Sequence, residues 1–473
     1  MFSEFHEIAL LNFVVNALRL TRIELNHFKN VSHGEVVLES DKRSIDARTL
    51  VFYGQNGSGK TAVIEALKVL KLALSGRPIP NYYAHLIENG EERAQLGYDF
   101  KLEADIGTVN FFYEICIGRE VDDEGYQSIK VTGERLAWRY KLADKVIRKT
   151  NLIDTHDEEN AFIPTVRLTA LGKGLSGLEA SKQQIQLYLK RHSLHEAGQS
   201  FVFSDDLVTA AESVVEPVSD WHMIGALLSR LKQFGLKELF VISRVPTMIE
   251  LEGFSAAYDL DMPVPSLYQL LSLDIGGRTL TVDQLPLFKE GVSKSNVVFG
   301  QLFPGLSVKV KELGPAFDRY GESCVPIQLV SCRQGLEVDL EYESKGVNRI
   351  FAMLHLLIAA CHKRTFTVAI DEIDAGLFEC LLGELLDVLS AKAKGQLILT
   401  ANNQRVLETI DHRQVVFTTT NKNQRYVRLT NVNRTKNLRD FYYREVSLGD
   451  GTFYAHTNAI EIAHAFKSAM KAS

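Results

Sequence analysis

The sequence has few cysteines, no long apolar run and no excess of positive charge. Its five cysteines are scattered without a C-x-x-C pair, so they look like small core residues of a reducing compartment and not a disulfide framework. No apolar run reaches the ~18 residues of a membrane-spanning helix, and we expect no membrane partner. The net charge of -6 excludes a polycation, so any contact with nucleic acid requires a local basic patch.

Internal repeats, low-complexity tracts and sustained heptads are also missing. Without heptads flanked by charges, we do not expect a long coiled-coil arm. The apolar first segment, residues 1–17, carries Glu4 and Glu7 where a secretory signal would carry Lys or Arg. We therefore interpret it as an N-terminal extension and expect a cytoplasmic location.

A glycine-rich turn lies between an apolar strand pattern (49–53) and a helical apolar pattern that begins near Ala62. It fits G-x-x-x-x-G-K-[ST], in which glycines let backbone N–H groups approach a phosphate. The lysine would reach the β- and γ-phosphates, and the threonine hydroxyl would bind Mg²⁺. The positive end of the helix dipole strengthens the anion site. The predicted ATP-binding residues are Gly54, Gln55, Asn56, Gly57, Ser58, Gly59, Lys60 and Thr61.

Strand and helix patterns divide the rest of the chain. Alternating apolar and polar residues predict a β-rich lobe around the phosphate loop, and fully apolar strands alternating with helices after residue 305 predict a buried parallel sheet. Both parts are expected to share one sheet. We assign 18–150 and 305–445 to the two halves of one α/β domain, 151–304 to a mainly helical insertion, and 446–473 to a C-terminal tail.

A second half-site follows the apolar strand 366–370. Asp371 and Glu372 come directly after this strand, at the edge where ligands of parallel sheets bind. Asp371 could reach Mg²⁺, and Glu372 could polarise a water molecule. A strand followed by two acids is a weak pattern alone, but the phosphate loop about 310 residues upstream favours the functional interpretation.

The helix before that strand begins at Glu343-Ser-Lys-Gly-Val-Asn-Arg349. Ser344 and Gly346 at this helix start indicate a second anion site. It is not expected to reach the phosphate loop of its own chain. We therefore expect it to close on the γ-phosphate held by a second subunit.

With these motifs, the chain resembles ABC-type P-loop ATPases of the SMC, RecF and OLD group. It is also similar to stand-alone ATPases of bacterial anti-phage systems, of the AriA type found in PARIS. The resemblance covers 18–120 and 305–445. It implies an ABC-ATPase-like fold, ATP and Mg²⁺ as ligands, and a homo-oligomer with composite ATP sites.

The resemblance also implies residue roles. Lys60 and Thr61 match Walker A, with Thr61 and Asp371 as the metal ligands and Glu372 as the catalytic residue of Walker B. Ser344 and Gly346 match the signature loop, Asp374 the D-loop, and the pair Lys29 and Asn30 a basic turn near the nucleotide.

The sequence departs from the family pattern in three places. The signature reads Ser-Lys-Gly, and no Q-loop glutamine can be assigned. Asn402 occupies the position where relatives often carry a catalytic histidine. Because Asn cannot carry charge, we predict slow hydrolysis that suits a switch better than a motor.

A nuclease domain of the OLD kind is not expected, since only 65 residues follow Glu408. Three other functions remain as alternatives. A DNA-binding repair ATPase would use the basic stretch 413–444, which contains eight Lys or Arg and one acid, with Tyr426 among its aromatic residues. We favour a solvated strand hairpin for this stretch. Our first choice is a regulatory ATPase that controls a separate effector, a toxin or nuclease, and a non-hydrolysing structural ATP binder is the remaining alternative.

Overall fold

In the computed structural model of the chain, the described residues are 18–40, 45–46, 48–104, 107–142, 145–174, 180–214, 221–243, 279–317, 321–422, 424–429, 438–440, 442 and 459–469. The predicted N-terminal extension, most of the C-terminal tail and part of the basic stretch lie outside these residues. Among the described residues, no helix is both long enough and apolar enough to cross a membrane.

The elements follow one another along the chain, first the strands and then the helices. The strands are β1 (Leu18–Phe28), β2 (Val31–Val37), β3 (Glu39–Ser40), β4 (Ile45–Asp46), β5 (Thr49–Gly54), β6 (Arg93–Ala104), β7 (Gly107–Val121), β8 (Gln127–Leu142), β9 (Lys145–Asp154), β10 (Leu239–Ile242), β11 (Thr279–Thr281), β12 (Leu306–Glu312), β13 (Ala316–Phe317), β14 (Ser323–Arg333), β15 (Leu336–Asp339), β16 (Thr367–Ile370), β17 (Gln396–Ala401), β18 (Val415–Thr418) and β19 (Tyr426–Val427). The helices are α1 (Lys60–Leu74), α2 (Thr165–Gly174), α3 (Ala180–Glu196), α4 (Asp205–Glu212), α5 (Trp221–Gln233), α6 (Gln284–Leu302), α7 (Lys345–His362), α8 (Glu379–Lys392), α9 (Arg405–Thr409) and α10 (Ala459–Ala469).

A six-stranded sheet in the order β10-β16-β17-β5-β18-β19 forms the centre of the fold. Its strands are parallel except β19, which pairs antiparallel with β18. The strand before the phosphate loop, β5, lies between two strands from the C-terminal half. The predicted shared sheet is therefore confirmed.

Both faces of β5 are buried. Leu50 and Phe52 belong to one hydrophobic core, shared with α1 and the β-rich lobe, whereas Val51 and Tyr53 belong to a second core around α7 and α8. Successive side chains of a strand point to opposite faces, so a strand covered on both sides must be apolar throughout. This is why its sequence shows no alternation.

The β-rich lobe is an antiparallel sheet in the order β2-β1-β6-β7-β8-β9. β6 and β7 pair antiparallel from Arg93 with Gly118 to Ala104 with Gly107, within the predicted β-rich lobe. The lobe extends to Asp154 through two strands that the sequence patterns did not predict, β8 and β9. Together with the central sheet, it confirms the α/β class with a β-rich N-terminal lobe.

The described residues between the two halves are mainly helical but also supply an edge strand to the central sheet. A mainly helical insertion was predicted here, yet α5 ends at Gln233 and a strand, β10, begins at Leu239. Leu239-Phe-Val-Ile242 is a buried apolar run, and it pairs parallel with β16 because burial in the sheet satisfies both its backbone and its side chains. The limits of the predicted domains remain a prediction.

Candidate nucleotide-binding site

The phosphate loop joins β5 to α1 through a tight turn that requires glycine. Gly57 and Gly59 have φ angles of 78° and 97°, in the left-handed region that favours glycine. At Gly54, a Cβ atom would lie 2.3 Å from Oγ1 of Thr418 on β18. The motif glycines are therefore required by backbone conformation at two positions and by close approach at a third.

Side chains of the loop itself and of distant segments hold the loop in place. Ser58 Oγ donates to the Gln55 carbonyl at 2.6 Å, and Tyr426 Oη donates to the Gly59 carbonyl at 2.9 Å. The Asn30 side-chain amide donates to the Gly57 carbonyl. Burial raises the pKa of Tyr426 above its ordinary value, so the phenol stays protonated as a donor. The predicted turn residue Asn30 thus contacts the loop directly.

Lys60, the first residue of α1, directs its ammonium group over the loop. Its Nζ donates to the carbonyls of Gly54 at 2.5 Å and Gln55 at 2.9 Å. These neutral acceptors are weaker partners for an ammonium group than phosphate oxygens. The side chain is therefore placed at the helix N-terminus where the predicted phosphates would bind.

Thr61 and Asp371 meet although about 310 residues separate them. Thr61 Oγ1 lies 3.3 Å from Asp371 Oδ1, which also accepts a hydrogen bond from Thr400 Oγ1 at 2.6 Å. The second carboxylate oxygen, Oδ2, is buried and has no hydrogen-bond partner among the described residues. A hydroxyl beside a carboxylate with an unsatisfied buried oxygen fits the oxygen ligands that Mg²⁺ prefers.

Glu372 follows in a left-handed conformation, with φ of 52°. For a non-glycine residue this conformation is unfavourable by about 1 kcal/mol or more, and such residues cluster at functional sites. Its backbone N–H donates to Thr400 Oγ1 at 2.7 Å, which holds this turn in place. The hydroxyl of Thr400 therefore positions both predicted acids.

A cavity of about 570 Å³ opens over the loop. Eight predicted site residues line it: Lys29, Asn30, Asn56, Gly57, Gly59, Lys60, Thr61 and Glu372. The structure thus brings the basic turn, the phosphate loop and the predicted catalytic acid to one space. Its volume falls in the range of small-ligand sites.

The segment after α1 supplies part of the lining that the sequence reasoning missed. His85, Ile87 and Asn89 face the cavity, close to a short 3-10 helix at Asn81–Leu86. These residues belong to no motif and carry no spacing that would have identified them.

The remaining predicted residues lie outside the cavity lining. Ser344 is the N-cap of α7, and its Oγ accepts from the Val347 N–H at 3.3 Å. Gly346 packs so closely on the loop after β16 that an added Cβ would lie 2.0 Å from the Gly376 carbonyl oxygen. Their contact with nucleotide therefore stays a prediction that needs a second subunit.

Asp374 organises the loop that carries Asn402. Its Oδ2 accepts from the backbone N–H groups of Asn402 and Asn403, both at 2.8 Å. The side chain of Asn402 itself is exposed. A catalytic role for Asn402 and a nucleotide contact for Asp374 remain predictions.

Arg349 on α7 is a further link that the sequence reasoning missed. Its guanidinium donates to the backbone carbonyl of Asp371. The helix that begins at Ser344 is therefore tied to the end of β16, where the predicted metal ligand lies. Arg349 is the last residue of the signature segment that begins at Glu343, but no sequence pattern predicts its contact with Asp371.

A scan against models of known protein families found no match, and a search of curated proteins found no relative. Solved structures are similar in fold. An SMC head domain bound to the C-terminal winged-helix domain of ScpA is 15% identical with a TM-score of 0.38, covering 87% of this chain and 97% of that chain.

Two other structures are comparable. An Smc head domain from Pyrococcus furiosus, with an extended coiled coil and the C-terminal domain of ScpA, is 14% identical with a TM-score of 0.39, covering 91% of this chain and 99% of that chain. The recombination mediator protein RecF is 12% identical with a TM-score of 0.34, covering 88% of this chain and 99% of that chain. Because identities and scores are low, function has to follow from the geometry of the site.

Proposed function

We propose that the chain is an ABC-type ATPase that works as a nucleotide-dependent switch. The observation that carries this proposal is the meeting of the phosphate loop with Asp371 and Glu372 at one edge of a single parallel sheet. Thr61 Oγ1 lies 3.3 Å from Asp371 Oδ1, and Glu372 lines the same cavity as Lys60. Residues about 310 positions apart along the chain supply complementary parts of a triphosphate site.

Each of these side chains has a distinct task in hydrolysis. Lys60 would shift its hydrogen bonds from the loop carbonyls to the β- and γ-phosphates. Thr61 and Asp371 would hold Mg²⁺, which supplies charge neutralisation for the phosphate oxygens. Glu372 would orient a water molecule and accept its proton as the oxygen attacks the γ-phosphorus and the bond to the β-phosphate oxygen breaks.

The switch would operate by assembly. Ser344 is exposed and outside the cavity of its own chain, as expected for a residue that completes the site of a second copy. ATP would then join two or more chains, and hydrolysis would release them. We propose that this cycle controls a separate effector protein, a toxin or nuclease, in bacterial anti-phage defence.

The alternative of a DNA-binding repair ATPase gains no support from the described part of the basic stretch. Tyr426 is half-buried, its ring packs against the hydrophobic core and its hydroxyl donates to the phosphate loop. Tyr442 is buried and stacks on Phe417. These contacts do not present either ring to a base. Arg425 donates to the backbone carbonyls of Asn30 and Thr419. β18 and β19 pair as a hairpin, but β18 is buried in the central sheet and is not the solvated strand that we expected.

Titration of the purified chain with ATP and Mg²⁺, together with measurement of phosphate release, tests the proposal. Lys60→Ala should abolish tight binding, because backbone N–H groups alone do not balance the triphosphate charge. Lys394→Ala, at an exposed position outside the cavity lining, is the matched control and should bind as wild type.

Wild-type affinity in Lys60→Ala would overturn the assignment of the site. Binding of ATP by the wild-type chain without any turnover would instead support the structural ATP binder.

A further inference from the structure

A cluster of metal-ligating side chains lies in the β-rich lobe, apart from the nucleotide cavity. Glu114 and Cys116 are two residues apart on β7 and therefore project from the same face of the sheet. His156 follows the end of β9 and meets them there. One ligand atom from each of the three residues lies within 4.8 Å of the other two.

A hydrogen bond from Nδ1 orients the imidazole of His156 and leaves its Nε2 able to bind a metal ion. Asp154 Oδ1 accepts from His156 Nδ1 at 2.8 Å, which places the proton on Nδ1 and leaves the lone pair on Nε2. Gly133, opposite Cys116 on β8, makes room for the ring, since a Cβ there would lie 2.4 Å from His156 Cδ2. A carboxylate that orients a histidine in this way is the usual second shell of a metal site.

The distance between the sulfur and nitrogen ligand atoms matches that around a tetrahedral ion. Cys116 Sγ lies 3.6 Å from His156 Nε2. Zinc bonds of about 2.3 Å to sulfur and about 2.1 Å to nitrogen, at a tetrahedral angle, separate these two atoms by about 3.6 Å. The thiolate, imidazole and carboxylate combination is also the donor set that zinc accepts.

We propose that Cys116 Sγ, His156 Nε2 and a carboxylate oxygen of Glu114 bind a zinc-type divalent cation, with the fourth position open to water. The ion would fasten β7 to the turn after β9. Arg191 already binds that turn through the carbonyls of Thr155 and Asn160. The ion would therefore join two segments of the lobe at a position apart from the nucleotide cavity.

Two carboxylates and two guanidinium groups surround the cluster. Arg135 lies 3.6 Å from Glu114 and 2.8 Å from Asp154, and Arg93 also acts on the Cys116 thiol. These charges balance, so the proposed site rests on the donor set and its geometry.

Titration of the metal-stripped full chain with Co²⁺ and then Zn²⁺, without nucleotide, tests the site. The wild-type chain should bind one ion with a thiolate-to-cobalt charge-transfer band that Zn²⁺ abolishes. Cys116→Ser and His156→Gln should lose the band and at least about 100-fold in affinity, and Asp154→Asn should weaken binding by about 10- to 100-fold. Cys332→Ser is the matched control, since Cys332 also lies beside a carboxylate, Glu337, and should leave the band unchanged.

Circular dichroism of each metal-free variant establishes that it is folded. If Cys116→Ser fails to fold, His156→Gln carries the test, because its side chain is partly exposed. No charge-transfer band in the wild-type chain would overturn the proposal and leave a plain thiol–imidazole hydrogen bond. A band that persists in a folded Cys116→Ser or His156→Gln variant would overturn it as well.

Discussion

Replacing Thr400 by valine removes one hydroxyl that positions both predicted acids. Thr400 is fully buried, and its Oγ1 donates to Asp371 Oδ1 at 2.6 Å and accepts from the Glu372 N–H at 2.7 Å. A hydrogen bond to a charged group contributes about 1.5–3 kcal/mol, and an orphaned buried N–H costs about 1–3 kcal/mol. Since the two effects overlap at one turn, we expect a total of about 2–4 kcal/mol.

Part of this free energy should appear in the rate of hydrolysis. The two bonds orient the acids before and during the reaction, so we take about half as specific to the transition state. A loss of about 1–2 kcal/mol corresponds to a kcat lowered about 5- to 30-fold. Binding of ATP should persist, because Lys60 and the loop are untouched, and Thr400→Ser, which keeps the hydroxyl, should restore the rate.

The matched control is Thr367→Val at the opposite end of the neighbouring strand. Thr367 is also buried, but its Oγ1 donates to the neutral Gln396 Oε1 at 3.3 Å. It should lower stability by about 1 kcal/mol and leave kcat unchanged. Steady-state phosphate release and thermal unfolding measure the two effects. Wild-type kcat in Thr400→Val, or an equal loss in Thr367→Val, would refute the positioning role.

Three further substitutions probe the site, the assembly and the lobe. Glu372→Gln should bind ATP, lower turnover by about 10²–10⁴ and accumulate a larger species in light scattering, and wild-type turnover would exclude the general-base role. Ser344→Arg should bind ATP without hydrolysis, and mixing it with Lys60→Ala should restore some activity, whereas no recovery in co-assembled mixtures would count against composite sites. Glu134, fully buried, has a lowered pKa: burial raises it, but hydrogen bonds, foremost that of His195, outweigh this. This carboxylate therefore stabilises the fold above its ordinary pKa of 4.5, and the contribution is lost as pH falls through the lower folded-state pKa. Thermal unfolding of Glu134→Gln should accordingly show a smaller loss of stability on acidification than wild type, and an unchanged acid dependence would contradict this.

The phosphate loop could be predicted from the sequence because its chemistry is local. Backbone N–H groups can surround a phosphate only where glycines permit the turn, and the lysine and threonine must follow at once. The strand before Asp371 and Glu372 could be predicted for the same reason, because its apolar residues and the two acids are adjacent in the chain. Alternating apolar and polar residues likewise predicted the β-rich lobe, since one face of a half-buried strand is apolar and the other is not.

Elements whose identity depends on distant partners were missed. Leu239–Ile242 continues a helical spacing of apolar residues, and only pairing with β16 makes it a strand. Thr400 and Arg349 carry no motif, and their roles follow from contacts with Asp371 and Glu372 made across the fold.

The tertiary structure alone decided how the parts combine. Tyr426 lies in a basic stretch, as a base-stacking residue would, yet its ring packs against the core and its hydroxyl donates to the phosphate loop. The meeting of Thr61 with Asp371 depends on β5 inserting between β17 and β18, a choice of strand order that no local pattern encodes. Short segments of the sequence thus determine which residue types form the site. Their geometry depends on the burial of apolar strands from distant parts of the chain in one sheet.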